Sequence, residues 1–451
     1  MTTPVSYARK LGLFSGTMAV IGGIIGSGIF VGPAVVAQRV GTAPLALAAW
    51  ALGGAIALAG AFCFAELGER SPKAGGGYVY LRDALGPLPA FLYGWALLLV
   101  MSTGACAFVA VTFANYSAAL LGLAPGAVLP IAIAAIALVT ALNYVGVAPA
   151  AITQNVFVIL KLAALAALIV AGILLPMHPT GIASAMTGIR HPALPQPSSV
   201  LQIGIVLGAA LVPVLFTCGG WQQTNFVAEE IVAPEVNLPR ALVFGVLAVI
   251  AVYLLANVAY LTVLGVDGLA WSTAPAADAM QRVIGPAGRV LISAGIAVSS
   301  FGFLDLVVLV TPRVLQAMAA DGVFFPRLSR LHPRYRTPGA AILVMGAWSA
   351  VLTLTGTYGK LLDYVVFGDW IFFGATVATI FIYRARDRRA GTAVARRFLT
   401  PGYPLVPALF VLCAIYVVVS SVASNPVNAM IGSGLILVGI PAFLYWKRRS
   451  G

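Results

Sequence analysis

The residues best placed to do chemistry are few, and they lie inside apolar stretches. Two glycine runs interrupt such stretches: Gly22-Gly23-Ile24-Ile25-Gly26-Ser27-Gly28 and Phe216-Thr217-Cys218-Gly219-Gly220-Trp221-Gln222. Lys161 lies in a third stretch, and Asp305 and Asp369 in two more. No hydrolytic constellation is present: there is no GxxxxGK[ST], no GxSxG and no HExxH. Gly26-Ser27-Gly28 lacks the later glycine of a dinucleotide fingerprint, and no strand precedes it. His178, His191 and His332 sit in polar connections, and Cys63, Cys106, Cys218 and Cys413 lie singly and far apart. No metal site, cofactor or disulfide framework is therefore expected.

What the glycine runs offer is backbone. Glycine leaves helical angles at little steric cost. A helix broken inside a bilayer bares N–H groups on one half and C=O groups on the other, and lipid satisfies neither, so they must line a cavity or a ligand. The N-terminal end beyond the break attracts anions, and the C-terminal end before it attracts cations. A zwitterionic α-amino acid carries both charges on one carbon, so a pair of breaks fits it better than a sugar or a simple ion. Gly22 and Gly26 also have the spacing of close helix packing. A second cluster at matching depth five spans later favours a binding site at the bilayer midplane.

The elements that must position these residues follow from composition. Of 451 residues, 61% are apolar and 9% charged, against roughly a quarter charged in an ordinary soluble domain; mean hydropathy is +1.01. A soluble enzyme, a disordered chain and a disulfide scaffold are excluded. Apolar blocks long enough to cross about 30 Å of hydrocarbon give twelve expected spans, among them 14–38, 149–175, 201–230, 284–320 and 360–383. The first is too long for a cleavable signal. With both ends inside, 20 Lys and Arg fall on the inner side and 5 outside, with Lys161 within a span. The net charge of +13 thus marks cytoplasmic loops rather than nucleic-acid binding. Loops are too short for a second domain, so 1–451 reads as one multi-pass unit.

Lys161 lies 12 residues from Pro149 and 14 from Leu175. At 1.5 Å per residue each end is roughly 20 Å away, beyond the reach of snorkelling, so its ammonium must find partners inside. If burial removed its proton, Lys161 would instead couple transport to H⁺. Asp305 and Asp369 have three open roles: neutralising Lys161, carrying protons, or facing a watery vestibule. Glu66, Glu229 and Glu230 fall at inner span ends, where with Arg9, Lys10, Arg70 and Arg313 they form either a gate or plain interfacial charges.

Four patches carry a family resemblance: Gly23–Phe30, Ala65–Leu81, Phe216–Pro239 and Pro312–Pro338. In them the sequence resembles the amino acid–polyamine–organocation superfamily, most of all the L-type amino acid transporter branch and its bacterial homologues. The resemblance implies an all-α LeuT-type membrane fold of twelve helices with the first and sixth broken. Its two inverted five-helix repeats would span 14–175 and 201–383, with accessory helices over 404–446. It implies a substrate carboxylate on the N–H groups of Ser27 and Gly28, an amino group on the carbonyls of Ile24, Phe216 and Gly219, and Phe216 as an aromatic gate. Trp221 and Gln222 would line the site, with Gln222 where many relatives have Asn and Cys218 where many have an aromatic residue. Lys161 would stand at the position of a sodium ion, bonded to carbonyls near Gly22 and Gly23.

The expectation is therefore a secondary transporter working by alternating access in a bacterial inner membrane, exchanging neutral L-amino acids without sodium. Neutral side chains are favoured because neither glycine run holds an acid. The alternatives are a proton-coupled symporter, a carrier of cationic amino acids or polyamines, and, in another class, a channel or membrane enzyme. The 121–126 loop holds no cysteine, so no disulfide-linked heavy subunit is expected.

Overall fold

The computed structural model describes residues 6–175, 194–356, 358–390, 397–424 and 426–450. His178 and His191 lie outside these residues. Among the described residues helix is the sole regular secondary structure, apart from one isolated parallel bridge between Leu11 and Ile231, as it must be for segments crossing hydrocarbon unless they close a barrel. Nine helices are long and apolar enough to cross a membrane, and the bent pair Leu13–Ile24 and Gly28–Val40 makes a tenth. The other two expected spans correspond to Gly339–Leu354, 16 residues, and Tyr358–Arg389, 32 residues.

Both glycine runs break their helices. The first span stops at Ile24 and restarts at Gly28, turned by 44°. The sixth runs as α-helix over Val200–Thr217 and resumes as a 3₁₀ stretch over Trp221–Glu230. Three features were not expected. The third span widens into a π turn at Leu97–Met101. Short helices over Gly77–Leu85 and Pro275–Ile284 occupy segments read as loops.

The fifth span, Val147–Leu174, shows how side chains are sorted. Gln154, Val158, Lys161, Leu165 and Leu168 form one buried stripe, at the i, i+3/i+4 spacing of a helix face. Ile152, Val156, Ile159 and Leu160 face outward. Small residues let the eighth span, Pro286–Ala320, lie close to this stripe. A Cβ on Gly295 would sit 2.6 Å from Ala164 Cβ, and one on Gly302 would sit 2.8 Å from Phe157 Cβ.

One end of the bundle, rich in Arg, is tied across elements. Lys10 and Leu11 N–H both donate to Glu230 O at 2.9 Å, and Val232 N–H donates to Leu11 O at 2.8 Å. Arg313 Nε donates to Glu230 Oε1 at 2.6 Å in a pair 0% and 1% exposed, and Arg313 also donates to Leu309 O. Tyr7 packs under the Arg313 guanidinium, 5.9 Å from ring centroid to Cζ. Burial, opposed by that charge, pushes the Tyr7 phenol above its ordinary value, so it stays neutral. Glu66 is held by Arg70 at 2.9 Å and Arg384 at 2.7 Å. Of the charges expected at the inner span ends, Glu66, Arg70, Glu230 and Arg313 thus form cross-links rather than solvated singletons. Arg313→Ala leaves Glu230 buried and unpaired. It is expected to destabilise the protein by about 3–5 kcal/mol, measured as a lowered unfolding midpoint in detergent.

Candidate functional site

At the first break the carbonyl end can be followed oxygen by oxygen. Ile21 O accepts from Ile25 N–H at 2.8 Å, and Ile24 O accepts from Gly26 N–H at 3.0 Å. Lys161 Nζ donates to Ile25 O at 2.7 Å and to Gly22 O at 3.4 Å. Ser299 Oγ donates to Ile25 O at 3.4 Å and to Gly26 O at 3.3 Å. Tyr253 OH lies 3.1 Å from Ile24 O and 3.3 Å from Thr217 O, so one hydroxyl touches both broken spans. The fifth, seventh and eighth spans thus satisfy the oxygens that lipid would leave bare.

The N–H end is different. First-turn N–H groups of a helix have no intrahelical partner, and the Ser27 side chain does not cap the helix that starts at Gly28. Both residues line an internal cavity of about 110 Å³ between the first, third, sixth, eighth and tenth spans. In the sixth span, Gly219 N–H turns back to Phe216 O at 3.2 Å, and Gly220 N–H donates to Gln222 Oε1 at 3.1 Å. Gly220 has φ +105°, a conformation favouring glycine. A Cβ on Gly23 would lie 2.7 Å from Gly220 O, and a Cβ on Gly220 would strike Gly23 O. The two breaks therefore cross glycine on glycine.

Ile24, Gly26, Ser27, Gly28, Phe216, Thr217, Gly219, Gly220 and Gln222 all line the cavity, as does Asp369. Trp221 does not: it is 2% exposed and packs behind the wall, its ring 5.0 Å from Phe64 and 5.9 Å from Phe373. Gly220 turns the chain just before it, and with Gln222 facing the cavity the indole goes to the packed side. Phe216 keeps 39% of its surface open. The cavity also takes residues that sequence reasoning did not single out, among them Met101, Phe108, Gln223, Phe303, Val307 and Phe373. The apolar ones carried no signal, because an apolar residue is the default in a membrane helix. The π turn at Leu97–Met101 puts both its ends on the wall, a common use of that distortion.

Lys161 meets the first break, with one difference from expectation. Its two carbonyls are those of Gly22 and Ile25, while Gly23 is taken up by the crossing with Gly220. No carboxylate pairs with Lys161 among the described residues, so Asp305 is not its counter-ion. Asp305 accepts from Asn143 Nδ2 at 2.8 Å instead, leaving Asp305 Oδ2 and Asn143 Oδ1 without partners. The C-terminal end of a half-helix carries roughly half a negative charge, so the ammonium is held by backbone. Among the described residues no three His, Cys, Asp or Glu side chains cluster as a metal site.

A helical membrane protein with a small cavity between two crossed helix breaks has the architecture of a carrier. The family profile described as amino acid permease matches residues 11–445, and the chain belongs to that family. It is 31% identical to the b(0,+)-type amino acid transporter 1 of Homo sapiens, over 93% of this chain and 84% of the relative. Identity to the large neutral amino acids transporter small subunit 2 of Homo sapiens is 32%, over 99% of this chain and 82% of the relative. For the cystine/glutamate transporter of Pongo abelii it is 30%, over 99% and 87%. If the crossing of the breaks forms the site, Gly220→Ala, which is strained in φ and collides with Gly23 O, should reduce reconstituted amino acid uptake by about tenfold or more, the equivalent of 1.4 kcal/mol.

Proposed function

We propose that this protein exchanges L-α-amino acids across the membrane by alternating access, without sodium. The α-carboxylate sits on the free N–H groups of Ser27 and Gly28, and the amino group on carbonyls of the two breaks. The Gly219 carbonyl serves the amine better than that of Ile24, which already accepts from Gly26 and Tyr253, or that of Phe216, which accepts from Gly219. Apolar walls such as Leu215, Phe303 and Val307 accommodate a neutral side chain, in keeping with a relative named for large neutral amino acids. The expectation of neutral substrates rested on the two glycine runs alone; the tenth span adds Asp369 to the wall.

The observation that carries this reading is Lys161, whose ammonium grips Ile25 O at 2.7 Å and Gly22 O at 3.4 Å. It supplies hydrogen-bond donors on a basic group to carbonyls that would otherwise attract a cation. A carrier with these carbonyls so occupied has no need of a sodium ion there. The basic end of the bundle faces the cytoplasm, with both chain ends beside it, and the membrane is a bacterial inner membrane. Residues 14–175 and 201–383 act as two repeats that tilt against one another, with 404–446 as accessory helices. The chain works without a disulfide-linked heavy subunit.

The test is uptake into liposomes holding the purified protein, with internal amino acid, Na⁺ and pH gradient varied separately. Labelled leucine should enter only against internal amino acid, at the same rate in Na⁺ or choline. Lys161→Ala, which strips two buried carbonyls of their partner, should lower exchange by about tenfold or more. Uptake driven by a pH gradient into empty vesicles, or an unchanged rate for the variant, would refute the reading.

A further inference from the structure

Asp369 is the one formally charged side chain in the wall of the cavity among the described residues. It is partly exposed, and its carboxylate has neither a hydrogen-bond nor an ion-pair partner among the described residues. Lys161 does not neutralise it, because that ammonium is spent on Gly22 and Ile25 and does not reach the lining. A carboxylate set in apolar surroundings at membrane depth is costly until a proton or a cation joins it. The two helix breaks already provide one pole for an α-carboxylate and one for an α-amine. A third charged group is redundant for a substrate whose side chain is neutral.

The rest of the wall fits the same occupant. Phe108, Phe216, Phe226, Phe303, Trp370 and Phe373 surround the cavity, and aromatic faces attract ammonium and guanidinium groups. An acid on a wall of aromatic rings makes a receptor for an organic cation on a flexible apolar stem.

We infer that the cavity accepts amino acids with a cationic side chain, of the lysine and arginine kind, and that Asp369 pairs with the side-chain ammonium or guanidinium. This rests on the amino acid exchange reading above and adds the residue that sets side-chain charge. Asp369 was marked in the sequence only as one of two acids within spans. The structure separates them, placing Asp305 against Asn143 and Asp369 in the cavity.

The test uses the full chain in liposomes loaded with leucine. In the unaltered protein, lysine should inhibit labelled-leucine exchange more strongly than norleucine, which has the same stem without the ammonium. Asp369→Asn should lower the lysine-to-leucine ratio of kcat/KM by about tenfold or more, as for loss of a charged hydrogen bond, and Asp369→Glu should restore part of it. Leucine exchange with lysine no better than norleucine would overturn the inference and leave the exchange reading standing; this arm does not depend on any variant folding. An unmoved ratio in Asp369→Asn would also overturn it. So would a variant that loses only its response to a pH gradient, since Asp369 would then carry a proton. No exchange of any amino acid by the unaltered protein would sink the underlying reading and this inference with it.

Discussion

The structure depends on one constraint: backbone polar groups inside a membrane must find partners, because lipid supplies none. Each broken span creates a debt of N–H and C=O groups at its break. Around the first break the oxygens are claimed by Lys161, Ser299 and Tyr253, from three different spans. The N–H groups at Ser27 and Gly28 are left to the cavity. The result is a polarised hollow whose negative pole is partly filled in advance and whose positive pole is open. Lys161 is central to this arrangement, because a cation at a half-helix C-terminus is held by the helix dipole without an acid beside it.

The same constraint links the two breaks. Tyr253 OH stands within hydrogen-bond distance of both Ile24 O and Thr217 O, and Gly23 and Gly220 approach too closely for any side chain. Neither half-helix can tilt without disturbing the other. Shape and chemistry are therefore set together: glycine permits the crossing, and the crossing brings the polar ends into one cavity. A substrate that bridges the breaks acts on both at once, as a ligand must if it is to shift a conformational equilibrium through differential contacts.

Much of this was legible in the sequence, for reasons that can be named. Glycine clusters, Lys161 and the intramembrane acids stand out because each is costly in hydrocarbon and so needs a local explanation. They gave the all-helical membrane class and the two breaks, while the contact between Lys161 and the first of them was implied by the family resemblance. The inward face of the fifth span was much less legible. Val158 and Ile159 are equally apolar, yet one is buried and the other faces outward; only Gln154 and Lys161 mark the difference. For the same reason Phe303, Val307 and Phe373 could not be assigned to the cavity. The role of Asp305 stayed open in the sequence because sequence distance says nothing about depth: Asn143, on the fourth span, reaches it and Lys161 does not. Trp221 was misplaced because its neighbours in the chain line the cavity while its own ring turns into the cluster with Phe64 and Phe373.

The basic end of the bundle bears on how such a carrier avoids leaking. Residues just before the first span are stitched to the end of the sixth by Lys10 and Leu11 N–H on Glu230 O and by Val232 N–H on Leu11 O. The Glu230 side chain is in turn held by Arg313 of the eighth span. The two spans that break in the middle are thus also tied to each other at this end, and the tie runs through backbone and a buried ion pair together. Opening here must separate both sets of bonds and admit water to Glu230 and Arg313 at the same time. Rehydration of the two ions offsets much of the lost pairing, so the barrier resides chiefly in the dry intermediate.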